Sequence, residues 1–288
     1  YIPGEGVGIV ILKRLDEAQN DGDHIYGVIK GSAVNHGGKT HGFTVPNPKA
    51  QQEVIQRVLK EAKINPEAIT YIEAHGTGTK LGDPIEIAGL TNTFVQRKLS
   101  SSCWIGSVKS NIGHCESAAG IAGVTKVLLQ MRYGQLVPSL HSKDLNPHID
   151  FAETPFVVNQ DLREWTPPII DGKMYPRIAG ISSFGAGGSN AHVLIEEYTA
   201  SVKAKHEGIP AVGDSLPVML VLSAKNAERL SEYVQRLLQY IANENKVSCT
   251  SDLANQKLVD LAFTLQTGRV AFEDRLGIVV SSMKELED

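Results

Sequence analysis

Two histidines in this chain stand among glycines and small polar residues, where a ring nitrogen could meet a substrate. His75 heads the run His75-Gly76-Thr77-Gly78-Thr79. His114 belongs to Val108-Lys109-Ser110-Asn111-Ile112-Gly113-His114-Cys115-Glu116, which opens into Ser117-Ala118-Ala119-Gly120-Ile121-Ala122-Gly123. A neutral imidazole N–H can donate to a developing oxyanion, and two converging donors make a strong oxyanion site. Lys109 favours neutral imidazoles by like-charge repulsion. Glu116 is expected to pair with Lys109 and fix it. Such a group suits chemistry through an enolate or a tetrahedral intermediate. Hydrogen-bond reach of about 3 Å from each donor to one shared oxygen puts the expected ring separation at about 5–8 Å. The competing reading is a capped core helix beside an ordinary surface loop, with histidines that only pack.

The elements around these residues must bring them together. Val7–Leu12 is an apolar run and reads as a buried strand within residues 7–15. Residues 16–20 read as a short exposed turn or helix, and Ile25–Val34 as a second strand. Residues 35–48 are loop-like. From Lys49 the residues Val54, Ile55, Val58, Leu59 and Ala62 share one helical face, and Asn65-Pro66 is a stop signal. Ile69–Ala74 reads as a strand that delivers His75 at its end. Asp83-Pro84 reads as a helix start, with Asp at the N-cap and Ile87, Leu90 and Phe94 as the core face. Ile105–Val108 is strand-like and delivers the Lys109–Glu116 loop. A helix rich in small residues then runs from Glu116 to about Tyr133. Glycine is unfavourable there by roughly 0.5–1 kcal/mol relative to alanine, so its use signals close approach of another backbone. That helix is expected at the centre of its unit. Phe156–Asn159, Arg177–Ser182 and His192–Glu196 are strand candidates, with a tight glycine turn at Phe184–Gly188. Alternating strands and helices argue for a layered α/β fold, in which polar groups at strand ends line the site.

After Tyr198 the composition shifts. Residues 199–215 read as a linker. Residues 216–223 and 275–281 read as strands, and 226–243 and 258–267 as helices, with another helix starting at Met283. These make a small separate α/β module, a sheet with helices on one side.

Composition removes several classes. With 288 residues, 42% hydrophobic and 21% charged, the chain suits one large or two modest globular domains. A net charge of −4 gives no support for nucleic-acid binding or for an anionic membrane surface. No long uncharged apolar run predicts a membrane span. Three cysteines without a CxxC pair argue for a reducing compartment and against a zinc ribbon. Cys115 reads as packing and Cys249 as incidental. His141 and His148 with Cys103 lack metal-ligand spacing, so no metal is expected. There is no GxGxxG after a strand, no P-loop and no GxSxG elbow. The start, Tyr1-Ile2-Pro3-Gly4-Glu5-Gly6, leads so abruptly into an apolar run that further sequence upstream is expected.

Several stretches carry a resemblance as an ordered set. They are Gly4-Glu5-Gly6-Val7-Gly8, Glu73-Ala74-His75-Gly76-Thr77-Gly78-Thr79, Gly82-Asp83-Pro84-Ile85-Glu86, residues 106–120, and Ser182-Ser183-Phe184-Gly185-Ala186-Gly187-Gly188-Ser189-Asn190-Ala191-His192. Together they resemble the C-terminal half of a β-ketoacyl synthase domain of the modular type I polyketide synthases, over roughly residues 1–198. Residues 199–288 resemble the linker module that follows such domains.

The resemblance implies the C-terminal half of a thiolase-like layered α/β fold (residues 1–198), a linker (199–215) and a small α/β module (216–288). It implies a cytoplasmic acyltransferase, likewise a homodimer, with no cofactor bound directly. Its reaction is decarboxylative Claisen condensation of malonyl on an acyl carrier protein with an acyl chain on a cysteine. By the resemblance His75 and His114 are the catalytic histidines, with Lys109 and Glu116 the supporting pair. Thr77 and Thr79 match the threonines that hold the phosphopantetheine arm. Phe184 matches the residue whose backbone N–H completes an oxyanion hole. The family's nucleophilic cysteine belongs to an N-terminal half that no part of this chain matches, so that half is an expected partner. The alternatives are a non-extending ketosynthase, which tends to lose the histidine matching His114, and a catalytically inert scaffold.

Overall fold

The computed structural model describes residues 1–40, 42, 45–94, 103–199, 217–245 and 251–287. The chain divides into two compact units, Tyr1–Ala200 and Ser201–Asp288.

The first unit is built on one mixed sheet. Its helices are α1 (Leu15–Asn20), α2 (Pro48–Ala62), α3 (Gly82–Thr93), α4 (Lys109–Ile112) and α5 (Ala119–Tyr133). Its main strands are β1 (Val28–His36), β2 (Ile69–Glu73), β3 (Cys103–Gly106), β5 (Phe156–Val158), β9 (Ile178–Phe184) and β10 (Ser189–Glu196). Between them, β4 (Gln135–Leu136) pairs with β6 (Arg163–Glu164), and β7 (Ile169–Ile170) with β8 (Lys173–Met174). The sheet order is β1-β10-β9-β2-β3-β5. β9, β2, β3 and β5 run parallel, and β10 and β1 add antiparallel at one side.

Side-chain alternation sorts the sheet into two faces. Ile72, Ile178 and Leu194 face α2 and α3, where Val54, Ile55, Val58, Leu59, Ile87, Leu90 and Phe94 complete a core. Tyr71, Ala179, Ile181 and Ile195 face the other way, onto Val127 and Met131 of α5 and onto Trp165. The start of α2 follows local rules: the Asn47 side chain accepts from the N–H of Lys49 and Ala50, and Pro48 takes the first helical position.

Four expectations need correction. Val7–Leu12 is not a buried strand. It has no regular secondary structure and is exposed (Ile11 at 94%), and no strand among the described residues pairs with it. A sheet-like bridge lies upstream of the segment, between Pro3 and His114. Asp83 is not an N-cap. α3 starts at Gly82 after Leu81, and the Asp83 carboxylate instead accepts from the N–H of Gly78 at 3.1 Å. The Lys109–Glu116 stretch is not all loop, since one helical turn, α4, forms inside it. The small-residue helix is not central. α5 covers one face of the sheet, and its outer side leaves Leu129 and Tyr133 exposed beside a cavity of about 500 Å³ lined by Val7, Ile121 and Ala122. On the inner side the close neighbours of the helix glycines are side chains and not the expected backbone. A Cβ at Gly123 would meet Glu73 Cγ at 3.1 Å, and Gly123 is buried while Gly120 is half-buried.

The second unit has β11 (Val218–Ala224) antiparallel to β12 (Asp274–Val280), with α6 (Ala227–Asn245), α7 (Ser251–Thr267) and α8 (Met283–Glu287). Leu220, Leu222 and Val280 of the strands pack on Ile241, Leu258, Ala262, Leu265, Met283 and Leu286. Neither strand joins the main sheet. The expected linker lies outside the described residues apart from Thr199, as does Cys249.

Candidate active site

The parallel pairing of β2 with β3 and β9 decides which residues meet. Register pairs Glu73 with Gly106 on one side and with Ile181 on the other. The loops leaving these strands therefore emerge at one edge, carrying His75, the 107–116 stretch and the Phe184 turn. The rings of His75 and His114 stand 5.3 Å apart, edge to face, and the Phe184 ring lies 5.8 Å from His75.

Each imidazole is held through the same nitrogen. The backbone N–H of Phe184 donates to His75 Nδ1 at 3.3 Å. The backbone N–H of Glu116 donates to His114 Nδ1 at 2.9 Å. A nitrogen that accepts cannot carry the proton in a neutral ring, so the proton sits on Nε2 in both. Both rings are neutral at pH 7. His75 is driven down to about 3, first by burial, then by Lys109 and His114. His114 is also lowered, by burial first and Lys109 second, against a smaller opposing pull from Glu116. Burial thus outweighs the like-charge repulsion that the sequence suggested. The pair presents two Nε2–H donors and no positive charge.

The Phe184 result differs from expectation. Its N–H is engaged with His75 instead of standing free for an acyl carbonyl. The cause is the β2–β9 adjacency, which sets the end of β9 against the His75 loop. The expected Lys109–Glu116 ion pair is also absent among the described residues. Gly113 turns the chain at φ 76°, and Glu116 itself adopts φ 47°. The Glu116 carboxylate is then exposed and accepts from the Tyr1 hydroxyl at 3.2 Å. Burial lowers the pKa of Lys109, against the smaller opposing pull of Glu86 and then Glu73.

Glu86, the last residue of the Gly82–Glu86 stretch, belongs to the site although the sequence does not mark it as a site residue. It is buried on α3, and its two oxygens accept the backbone N–H groups of His75 at 2.7 Å and Gly76 at 2.8 Å. Burial raises its pKa to about 7 against the pull of those bonds. It shapes the loop in which Gly76 takes φ 47° and would otherwise press a Cβ on Ser107. The sequence signal available was the place of Glu86 in the first turns of a helix that begins beside the loop.

A cavity of about 1170 Å³ runs past His75, Thr77, Thr79, His114, Phe184 and Gly185. A second, of about 1010 Å³, lies behind it against Lys109, Asp83 and Glu86. Thr77 and Thr79 bring their hydroxyl oxygens within 3.1 Å, and Thr79 Oγ1 accepts from the N–H of Gly82. Among the described residues no cluster of His, Cys, Asp and Glu is placed to hold a metal, and no helix is long and apolar enough to cross a membrane.

Comparison with known proteins bears on the family and the fold. The family described as "Beta-ketoacyl synthase, C-terminal domain" matches residues 26–143, and the "RhiE-like, KS-MAT linker domain" matches residues 221–288. The chain is 58% identical over 293 aligned positions to polyketide synthase PksL of Bacillus subtilis, covering 100% of this chain and 6% of that protein. It is 50% identical to polyketide synthase ThaG of Burkholderia thailandensis, covering 99% of this chain and 5% of that one. Among solved structures it matches the oxazolomycin ketosynthase domain OzmH KS7 of Streptomyces albus, with TM-score 0.81 and 44% identity over 96% of this chain and 45% of that one. It also matches the ketosynthase from module 6 of the bacillaene synthase of Bacillus subtilis, with TM-score 0.77 and 41% identity over 96% and 44% of the two chains. The chain thus spans under half of the ketosynthase structures it matches. Two domain families matched in order, with relatives that are polyketide synthases and structural neighbours that are ketosynthases, show that this chain carries a β-ketoacyl synthase C-terminal domain over residues 26–143, followed by a KS–MAT linker domain over residues 221–288.

Proposed function

We propose that the first unit supplies the histidine half of a polyketide ketosynthase that condenses by decarboxylation. The observation that carries this is the pair of neutral imidazoles 5.3 Å apart, each with Nδ1 tied as an acceptor. In the malonyl thioester of a carrier protein, the bond to the carboxylate breaks and its electron pair stays on the α-carbon. The thioester oxygen then carries enolate charge. Two preorganised Nε2–H donors stabilise that charge where it develops, and the carboxylate leaves as carbon dioxide. The enolate carbon attacks the acyl thioester on a cysteine, and the cysteine sulfur leaves as thiolate.

The cysteine belongs, in this reading, to an N-terminal ketosynthase half that partners this chain. Thr77 and Thr79 line the cavity beside the histidines and would receive the phosphopantetheine arm of the acyl carrier protein. Lys109 and Glu86 stand behind His75 and support its loop. Glu116 supports His114 through its backbone N–H rather than its carboxylate. Residues 199–215 join this domain to the KS–MAT module, and the assembly works as a cytoplasmic homodimer.

The test uses the ketosynthase complete with its cysteine-bearing half. Carbon dioxide release from malonyl carrier protein, with an acylated cysteine, should proceed and should yield a β-ketoacyl carrier protein. Acyl transfer to the cysteine without carbon dioxide release would mark a non-extending enzyme and overturn the reading.

A further inference from the structure

Two buried glutamates hold the two histidine loops, and the reading above uses one. Glu86 ties the His75 loop. Glu73 closes β2 two residues before His75 and is 2% exposed. Its Oε1 accepts the N–H of Val108 at 2.5 Å, the residue that leads into Lys109 and the His114 loop. Its Oε2 accepts the Tyr71 hydroxyl at 2.8 Å and lies 2.9 Å from Lys126 Nζ on α5. That lysine is 7% exposed, and the angle leaves its ammonium without a well-directed hydrogen bond. Space for the cluster is cleared by glycines. A Cβ at Gly106 would meet Tyr71 Oη at 3.0 Å, and one at Gly123 would meet Glu73 Cγ at 3.1 Å.

A buried ion pair is a poor way to gain stability, since apolar residues of similar volume often do as well or better. What an apolar pair cannot supply is an acceptor for the Val108 N–H. The other side-chain link between the loops, Ser107 Oγ to the His75 carbonyl, is long at 3.5 Å. We infer that Glu73, held by Lys126 and Tyr71, is a positioning residue that sets the His114 loop against the strand bearing His75. Nothing in Glu73 touches the reacting atoms. It acts through the separation of the two Nε2–H donors, so it rests on the role proposed for them.

The experiment compares Glu73→Leu/Lys126→Met with Glu73→Gln/Lys126→Met in the complete ketosynthase. Both remove the ion pair, and only the second keeps an acceptor for Val108. The first should lower the kcat for decarboxylating malonyl carrier protein at least tenfold, with KM within threefold and cysteine acylation intact. The second should restore the rate to within about fivefold of wild type. Glu73→Asp, which keeps the charge but withdraws the acceptor by one methylene, should show the same loss and decides the matter if the leucine variant does not fold. Nitrogen-15 NMR of the histidine rings gives a readout independent of turnover. The His114 ring nitrogens, in a ring 5.3 Å from that of His75, should keep their wild-type shifts in the glutamine variant and move from them in the variants without the acceptor. Decarboxylation within threefold of wild type in Glu73→Asp or the leucine variant overturns the inference. So does an equal loss in both double variants. If wild type itself fails to decarboxylate, the functional reading falls, and the ring shifts alone then decide whether Glu73 positions the loop.

Discussion

The Phe184 backbone N–H donates to His75 Nδ1 at 3.3 Å, and this contact joins the glycine turn after β9 to the strand end of β2. It makes the His75 tautomer a property of the sheet. β2 and β9 are parallel neighbours, so the end of one strand supplies the donor that fixes the ring at the end of the other. Glu116 does the same for His114 from within its own loop.

The His114→Ala variant of the complete ketosynthase should lose decarboxylation and condensation by about 10²–10³, the usual cost of deleting one oxyanion donor. Cysteine acylation should survive, because it draws on the nucleophile and not on the enolate site. Rates of carbon dioxide release and of acyl-enzyme formation, measured separately, check this. Condensation within threefold of wild type would remove His114 from the role.

Glu86→Gln tests the other loop. The carboxylate accepts two backbone N–H groups, and an amide offers only one acceptor. One buried N–H is left facing an NH₂, at a cost of about 1–3 kcal/mol. Equilibrium urea unfolding should show a loss of that order. A change smaller than about 0.5 kcal/mol, within the range of an ordinary surface substitution, would mean the loop does not depend on Glu86.

Much of this was legible because local signals agree with the fold. Asn47-Pro48 starts a helix as its types require, and the faces of α2 and α3 follow the apolar spacing. The meeting of His75 and His114 was legible because each follows an apolar run, and parallel strands release their loops at a common edge. What was not legible depended on tertiary neighbours. The apolar run Val7–Leu12 says "buried" only if a partner strand is present, and none pairs with it among the described residues. Glu73 and Glu86 look like ordinary charges in sequence, and only packing makes them buried acceptors. Lys109 and Glu116 have a spacing that permits a pair, but where Gly113 and Glu116 take positive φ the Glu116 carboxylate meets the Tyr1 hydroxyl instead.

Gly123→Ala sets helix propensity against packing. Alanine should favour α5 by up to about 1 kcal/mol. The new Cβ would sit 3.1 Å from Glu73 Cγ and 3.4 Å from Ile181 Cγ2. Glu73 is pinned by Val108, Tyr71 and Lys126 and cannot yield. Overpacking of a tight interior costs about 1–3 kcal/mol, so the net effect should be a loss of roughly 1–2 kcal/mol. A thermal or urea measurement showing stabilisation would mean that the Glu73 cluster is looser than its geometry.

Acid should destabilise the first unit through its buried imidazoles. His75 and His192 both fall to about 3 in the folded state, His192 through burial alone. The unfolded chain takes up these protons near its ordinary value of about 6.5, and the folded state refuses them until about pH 3. Their contribution is complete above pH 6.5 and is lost as pH falls toward 3. Glu86 works in the opposite sense. Its folded value near 7 lies above its unfolded one, so its contribution is present in acid and lost as pH rises from about 4.5 to 7. Between pH 6.5 and 4.5 it partly offsets the histidines, and below 4.5 it no longer does. For these three groups together, stability should decline gently with acid at first and more steeply below about pH 4.5. His192→Gln, which keeps a polar partner for the Ser182 hydroxyl now 3.1 Å from His192 Nδ1, should flatten the slope between pH 6.5 and 3. Urea unfolding at a series of pH values reads both slopes. Parallel curves for wild type and His192→Gln would show that His192 takes up its proton in the folded state, and that its burial is not what the structure implies.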